Sequence, residues 1–173
     1  MGNPRRFTVQ PATLPHGKYT PGIGDKELAA LVGYTLTIWS QVEDRMIDLF
    51  QFLAGIEHPE DARIVFRSIA AQKSRIDIMG KALKRSPHNV HVPSDVDAAL
   101  DEYQSISEVR NQYAHGLWWN SREAGKTYLE PKLDNSGLIF IQGREVGNEE
   151  VKGLFDRMMA LAQKLQDPDL YRR

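Results

Sequence analysis

Between residues 28 and 53 the positions Leu28, Leu31, Thr35, Trp39, Val42, Met46, Leu49 and Leu53 recur at steps of three and four. A strand repeats every two residues, so this spacing is one face of a long helix. Asp25 stands where its carboxylate can cap the first turn, and Gly55 where the chain can leave in a left-handed conformation. A helix of this length with one apolar face must bury that face against other elements. The remaining segments must supply them.

They read largely as further helices. Pro59 suits the first turn of a second helix and Pro87 ends it. At 100° per residue, Val65, Ile69, Ile76, Met79 and Leu83 fall on one side of it, and Arg63, Arg67, Lys81 and Arg85 in a narrow arc opposite. From 62 to 86 there are seven Lys or Arg against one acid, Asp77, the strongest local charge excess in the chain. Ser94 begins a third helix, with Asp95 and Asp97 in its first turn and a stripe of Val96, Leu100, Tyr103, Ile106, Val109 and Tyr113. Gly116 is its natural stop. Thr127–Leu129 and Leu138–Gln142 are β-like and flank Asp134-Asn135-Ser136-Gly137, which is turn chemistry. Asn148 then caps a last helix. Residues 1–24, with Pro4, Pro11, Pro15 and Pro21, form an extended arm ahead of one domain over 25–173. The expected fold is all-α: a bundle of about four to five helices with a small β-hairpin before the last one.

Composition removes several function classes. The hydrophobic fraction of 41% and charged fraction of 26% are those of a globular chain. With no cysteine, disulfides, Cys-ligated zinc and thiol catalysis are excluded, which fits a reducing cytoplasm. No apolar run approaches membrane-spanning length, so no membrane partner is expected. The net charge of −1 confines any nucleic-acid contact to a local patch, and the Arg63, Arg67, Lys81 and Arg85 arc is the candidate for an RNA backbone. Its competitor is a solvated face, or pairing with the acidic third helix. His88 and His91 have no cysteine or suitably spaced carboxylate beside them, so neither metal nor cofactor is expected. Trp118 and Trp119 either stack on bases or close the end of the bundle.

The third helix ends Arg110-Asn111-Gln112-Tyr113-Ala114-His115-Gly116. An Arg and a His so spaced carry little weight alone, since this composition yields about 0.4 such pairs by chance. Context adds weight. Arg110 lies seven residues after Tyr103, on the apolar stripe, where a charge is costly unless paired or met by a ligand. His115 sits at the helix end, where an imidazole can reach outward. In a straight helix the two side chains diverge by roughly 140°, so one protomer need not bring them together.

This heptapeptide resembles the Arg, four-to-six residues, His signature of HEPN domains, including the polar residue directly after Arg. The resemblance extends over roughly 25–166 by helix order, but only the heptapeptide is specific. It implies a helical bundle that dimerises and juxtaposes two copies of the motif. Active members are metal-independent endoribonucleases, found among toxins and phage-defence effectors with antitoxin partners. Other members are inactive binding or partner modules. The residue chemistry suits the first reading. Histidine exchanges protons near neutral pH, and arginine offers a planar fork to phosphate oxygens. Asn111 would orient His115 or bind phosphate. Glu43, at the edge of the first helix's stripe, either orients Arg110 or His115 or is a partly exposed acid. The structural alternative has Arg110 paired to a buried acid and His115 capping carbonyls. The functional alternative is a non-catalytic dimer that binds RNA, a nucleotide or a protein partner.

Overall fold

The computed structural model describes residues 12–13, 19–85, 95–130 and 142–167. It is mostly helical, with antiparallel strands ahead of the last helix. The described helices are α1 (Lys26–Ala54), α2 (Pro59–Ser68), α3 (Gln72–Arg85), α4 (Asp95–His115) and α5 (Asn148–Lys164). The strands are β1 (Ala12–Thr13), β2 (Tyr19–Pro21), β3 (Leu117–Ser121), β4 (Thr127–Glu130) and β5 (Gln142–Val146). Among the described residues no helix is long and apolar enough to cross a membrane. The chain groups into two compact units, one of residues 1–33 and 111–152, the other of 34–110 and 153–173.

In the helical unit, α1 supplies the longest buried stripe. Trp39, Val42, Met46, Leu49 and Leu53 are all buried, at the positions the periodicity selects. Phe50 of α1 meets Phe66 of α2 at 5.6 Å between ring centroids, and Trp39 stacks on Tyr103 of α4 at 5.0 Å. Arg157 of α5 donates through Nε and Nη2 to the two carboxylate oxygens of Glu102 at 2.8 and 3.0 Å. That bidentate pair joins α5 to α4.

The expected helix over 59–87 is two helices. Backbone at Ile69 turns extended (φ −80°, ψ 101°), and α3 starts at Gln72. Ser68 Oγ donates back to Val65 O at 2.7 Å, and Arg75 Nε takes Ile69 O at 2.7 Å. The released carbonyl at the break therefore has a partner. The break also shifts the helical phase: α2 buries Ala62 and Phe66, and Val65, expected on the apolar side, is exposed. Pro87 lies outside the described residues.

The other unit holds a five-stranded antiparallel sheet in the order β1-β5-β4-β3-β2. It is wider than the expected hairpin. β4 matches the expected Thr127–Leu129, but β3 grows directly out of α4, and the proline-rich arm adds a strand at each edge. The described part of the last strand is Gln142–Val146. The expected turn 134–137 and residues 138–141 lie outside the described residues. The inward face carries Trp118, Leu129, Val146 and Arg144, and Trp118 and Arg144 both lie against Tyr113 of α4.

Candidate functional site at the end of helix α4

Alternation along α4 decides where each motif residue points. Leu100, Tyr103, Ile106 and Tyr113 are buried, while Asp97, Asp101, Gln104, Glu108, Asn111 and His115 are exposed at steps of three and four. Asn111 and His115 thus end an exposed polar stripe. Arg110 is half-buried, with its guanidinium carbon 5.6 Å from the centre of the Trp39 ring. Trp39 in turn stacks on Tyr103 with an interplanar angle of 6°. The three side chains make a layered arrangement of guanidinium, indole and phenol, a favourable cation–π geometry.

His115 is the last residue of α4 and is exposed. The next residue explains its pose. Gly116 N donates to Gln112 O at 2.8 Å and closes the helix. A Cβ on Gly116 would sit 2.5 Å from Gln112 O, 2.6 Å from Leu129 Cδ1 and 2.8 Å from Glu130 O. Only glycine lets β3 leave so tightly against β4. Trp118 Nε1 donates to Tyr113 O at 3.0 Å, so an indole caps one of the last helical carbonyls. Tyr113 anchors the same turn through its side chain. Its hydroxyl donates to Glu150 Oε1 at 2.6 Å, and Arg144 Nη1 reaches that same oxygen at 2.5 Å. Burial, together with the Glu150 carboxylate, pushes the Tyr113 hydroxyl pKa well up, so it stays a donor.

Glu43 is brought to Arg75, whose Nη1 donates to its Oε1 at 3.2 Å. Glu43 lies one turn beyond Trp39 on α1, and Arg75, on α3, also stands 5.1 Å from the Phe66 ring centre. Tyr103 faces this cluster. Burial pushes its pKa up to about 12, with Gln72, Glu43 and Arg75 as the polar neighbours that act on it.

Of the four basic residues expected on one arc, Arg63 and Arg67 share Asp44 of α1, each at 3.4 Å. Lys81 and Arg85 are exposed on α3, beyond the break, so the four do not line one helix. Among the described residues no three His, Asp or Glu side chains gather as a metal site; His88 and His91 lie outside them.

The sequence reading passed over Arg75, Arg144 and Glu150 as site-bearing residues. Arg75 was legible only as one of seven cations. Arg144 and Glu150 reach Tyr113 from elements with no motif of their own. Comparison with known proteins finds no matching family, no similar curated protein and no similar solved structure.

Proposed function

We propose that this chain is a HEPN-like, metal-independent endoribonuclease acting as a homodimer, with Arg110 and His115 in a composite site. The observation that carries the reading is the pose of the motif. His115 is exposed at the end of α4 on a glycine-enforced turn, and half-buried Arg110 lies five residues earlier, over Trp39. With the two side chains on different sides of one helix, a second protomer supplies the complement.

The reaction follows from the groups. The imidazole of one His115 takes the 2′-hydroxyl proton as that oxygen attacks phosphorus. The P–O5′ bond breaks, and the imidazolium so formed returns the proton to the leaving oxygen. The products are a 2′,3′-cyclic phosphate and a free 5′-hydroxyl. Arg110 holds the charge that develops on the phosphoryl oxygens, and Asn111 orients the imidazole or binds phosphate. Glu43 acts at one remove, through the ion pair with Arg75 one turn from Trp39. Arg63, Arg67, Lys81 and Arg85 are the backbone-contacting candidates, on two helices. A chain without cysteine suits a reducing cytoplasm, and a toxin or phage-defence role with an antitoxin partner follows from the resemblance.

Complementation tests the composite site. Arg110→Met and His115→Ala, each inactive alone, form heterodimers on mixing in which one of two sites is intact. About a quarter of wild-type cleavage should return when half the dimers are mixed. No recovery, with heterodimers present, removes the composite site.

One observation favours a second reading. The Arg110 guanidinium already lies over Trp39, which is a structural use. On that reading the domain is a non-catalytic dimer that binds RNA, a nucleotide or a protein partner.

A further inference from the structure

Side chains at a helix end point only as well as the last turn is held, because its final carbonyls lack partners within the helix and the end frays. In α4 that turn carries Asn111 and His115 on its exposed side. Between them on the buried side is Tyr113, two residues from each and 2% exposed. Contacts from β3, β5 and α5 fix it. From β3, Trp118 donates to the Tyr113 carbonyl at 3.0 Å and sets its ring 5.5 Å from the phenol ring. From β5, the Arg144 guanidinium lies 5.8 Å from the phenol centre. From the first turn of α5, Glu150 Oε1 accepts the Tyr113 hydroxyl at 2.6 Å. Arg144 Nη1 donates to that same oxygen at 2.5 Å, so one carboxylate oxygen joins phenol and guanidinium.

We propose that Glu150 is a positioning residue for His115: by accepting the Tyr113 hydroxyl it fixes the last turn of α4, and with it the direction of the imidazole. The Tyr113 ring already has Trp118 and Arg144 against it, so packing alone would keep it buried. What the carboxylate adds is a directed, charge-assisted bond to the far end of the ring, from a residue seated in a helix turn. Glu150 is itself 40% exposed, a position that filling the core does not require. The inference rests on the ribonuclease reading for its kinetic consequence and deepens it by naming a residue that acts on the site without touching RNA. Proton transfer needs the imidazole within hydrogen-bond reach of the reacting oxygen. A misplacement of about 1 Å costs on the order of a hundredfold in rate. The loss belongs to the chemical step and not to binding, so it appears in kcat and leaves KM.

The test has two arms, both on full-length protein. In the first, backbone ¹⁵N relaxation is compared between wild type, Glu150→Ala, Glu150→Gln and Tyr113→Phe. Order parameters at residues 114–116 should fall from about 0.85 toward about 0.6 in Glu150→Ala and in Tyr113→Phe, while those of residues 99–104 hold. In the second, the same proteins cut a fluorophore–quencher RNA of randomised sequence. Glu150→Ala should lower kcat roughly ten- to a hundredfold with KM within about twofold. Tyr113→Phe, which keeps the ring and the Glu150–Arg144 pair, should lower it about tenfold, the worth of one hydrogen bond to a charged group. Glu150→Gln, whose amide oxygen can accept both donors, should return kcat to within about threefold of wild type and restore the order parameters. Thermal unfolding confirms that each variant folds, and Tyr113→Phe carries the test should Glu150→Ala not. Unchanged order parameters at 114–116 in both Glu150→Ala and Tyr113→Phe overturn the proposal, whether or not wild type cleaves. So does a loosened turn with undiminished kcat, or a raised KM at constant kcat, which would place Glu150 in binding. A wild type that cuts no RNA removes the proposed reaction, and the relaxation arm still decides whether Glu150 holds His115.

Discussion

The joint between α2 and α3 and the end of α4 each set an arginine against an aromatic ring, and they differ in what surrounds it. At the joint, Arg75 has a side chain only 15% exposed, with Nε on Ile69 O and Nη1 on Glu43 beside the Phe66 ring. At the end of α4, Arg110 lies over Trp39, and the chain goes on to exposed Asn111 and exposed His115. A cation whose donors are spent on a helix-end carbonyl and a carboxylate is a fastener. In the proposed reaction Arg110, followed by an amide and an imidazole, acts on phosphate instead. Aromatic stacking is common to both and does not distinguish them.

Exchanging the two arginines in turn is the sharpest way to break that contrast. Arg75→Met should cost about 2–4 kcal/mol by urea unfolding, because it strands Ile69 O and leaves Glu43 without its cation. Arg110→Met, which removes the contact with Trp39 from a half-buried side chain, should cost less than Arg75→Met, about 1–2 kcal/mol. Equal losses would make Arg110 a second fastener. Gly116→Ala should follow at about 1–3 kcal/mol, since its Cβ would strike Gln112 O, Leu129 and Glu130 O, and overpacking costs of that order. A smaller loss would show that the turn after His115 can yield.

Alkaline titration reads two buried phenols, Tyr103 by the joint and Tyr113 at the end of α4, both with raised pKa values. Tyr103 has its pKa pushed up to about 12 from 10.0. Between those values the unfolded chain loses this proton first, so stability is intact below about pH 10 and falls as pH rises toward 12. The slope is about 1.4 kcal/mol per pH unit for one proton. Tyr103→Phe should remove that component from the pH dependence of urea midpoints. A wild-type slope unchanged in the variant would contradict the buried phenol. The smallest effect belongs to Arg63 and Arg67, whose pairs with Asp44 are largely solvent-exposed. Arg63→Ala should shift stability by less than about 1 kcal/mol.

How much of this was legible depends on where each feature's cause resides. α1 was readable in full, because its cap, its stripe and its stop are local. Asp25 Oδ1 accepts from Glu27 N at 2.8 Å, and Gly55 ends the helix at φ +65°. The break at residues 69–71 was not, since Ile-Ala-Ala carries no glycine or proline and the interruption is completed by Arg75, six residues on. β3 was hidden because Leu-Trp-Trp-Asn-Ser alternates poorly, and β2 because a strand holding Pro21 is tolerated only at a sheet edge, where it lies. In the candidate site, Arg110, Asn111 and His115 were named by spacing. That Trp39 carries the guanidinium depends on how α1 meets α4 and has no mark in the sequence. The value of Gly116 was visible only as a helix stop, and its contacts with β4 show why nothing larger fits.

Single-turnover cleavage of a mixed RNA pool by purified wild type, Arg110→Lys and His115→Ala, in EDTA and with product ends mapped, puts the proposed reaction to the test. Wild type should cleave, its activity should persist in EDTA, and the products should carry 2′,3′-cyclic phosphate ends. Arg110→Lys keeps the charge but not the bidentate fork, so it should fall by about two orders of magnitude while remaining folded. His115→Ala should abolish cleavage with RNA affinity largely kept, because a proton-transfer group contributes at the transition state. Cleavage that stops in EDTA, or that survives His115→Ala, would contradict it.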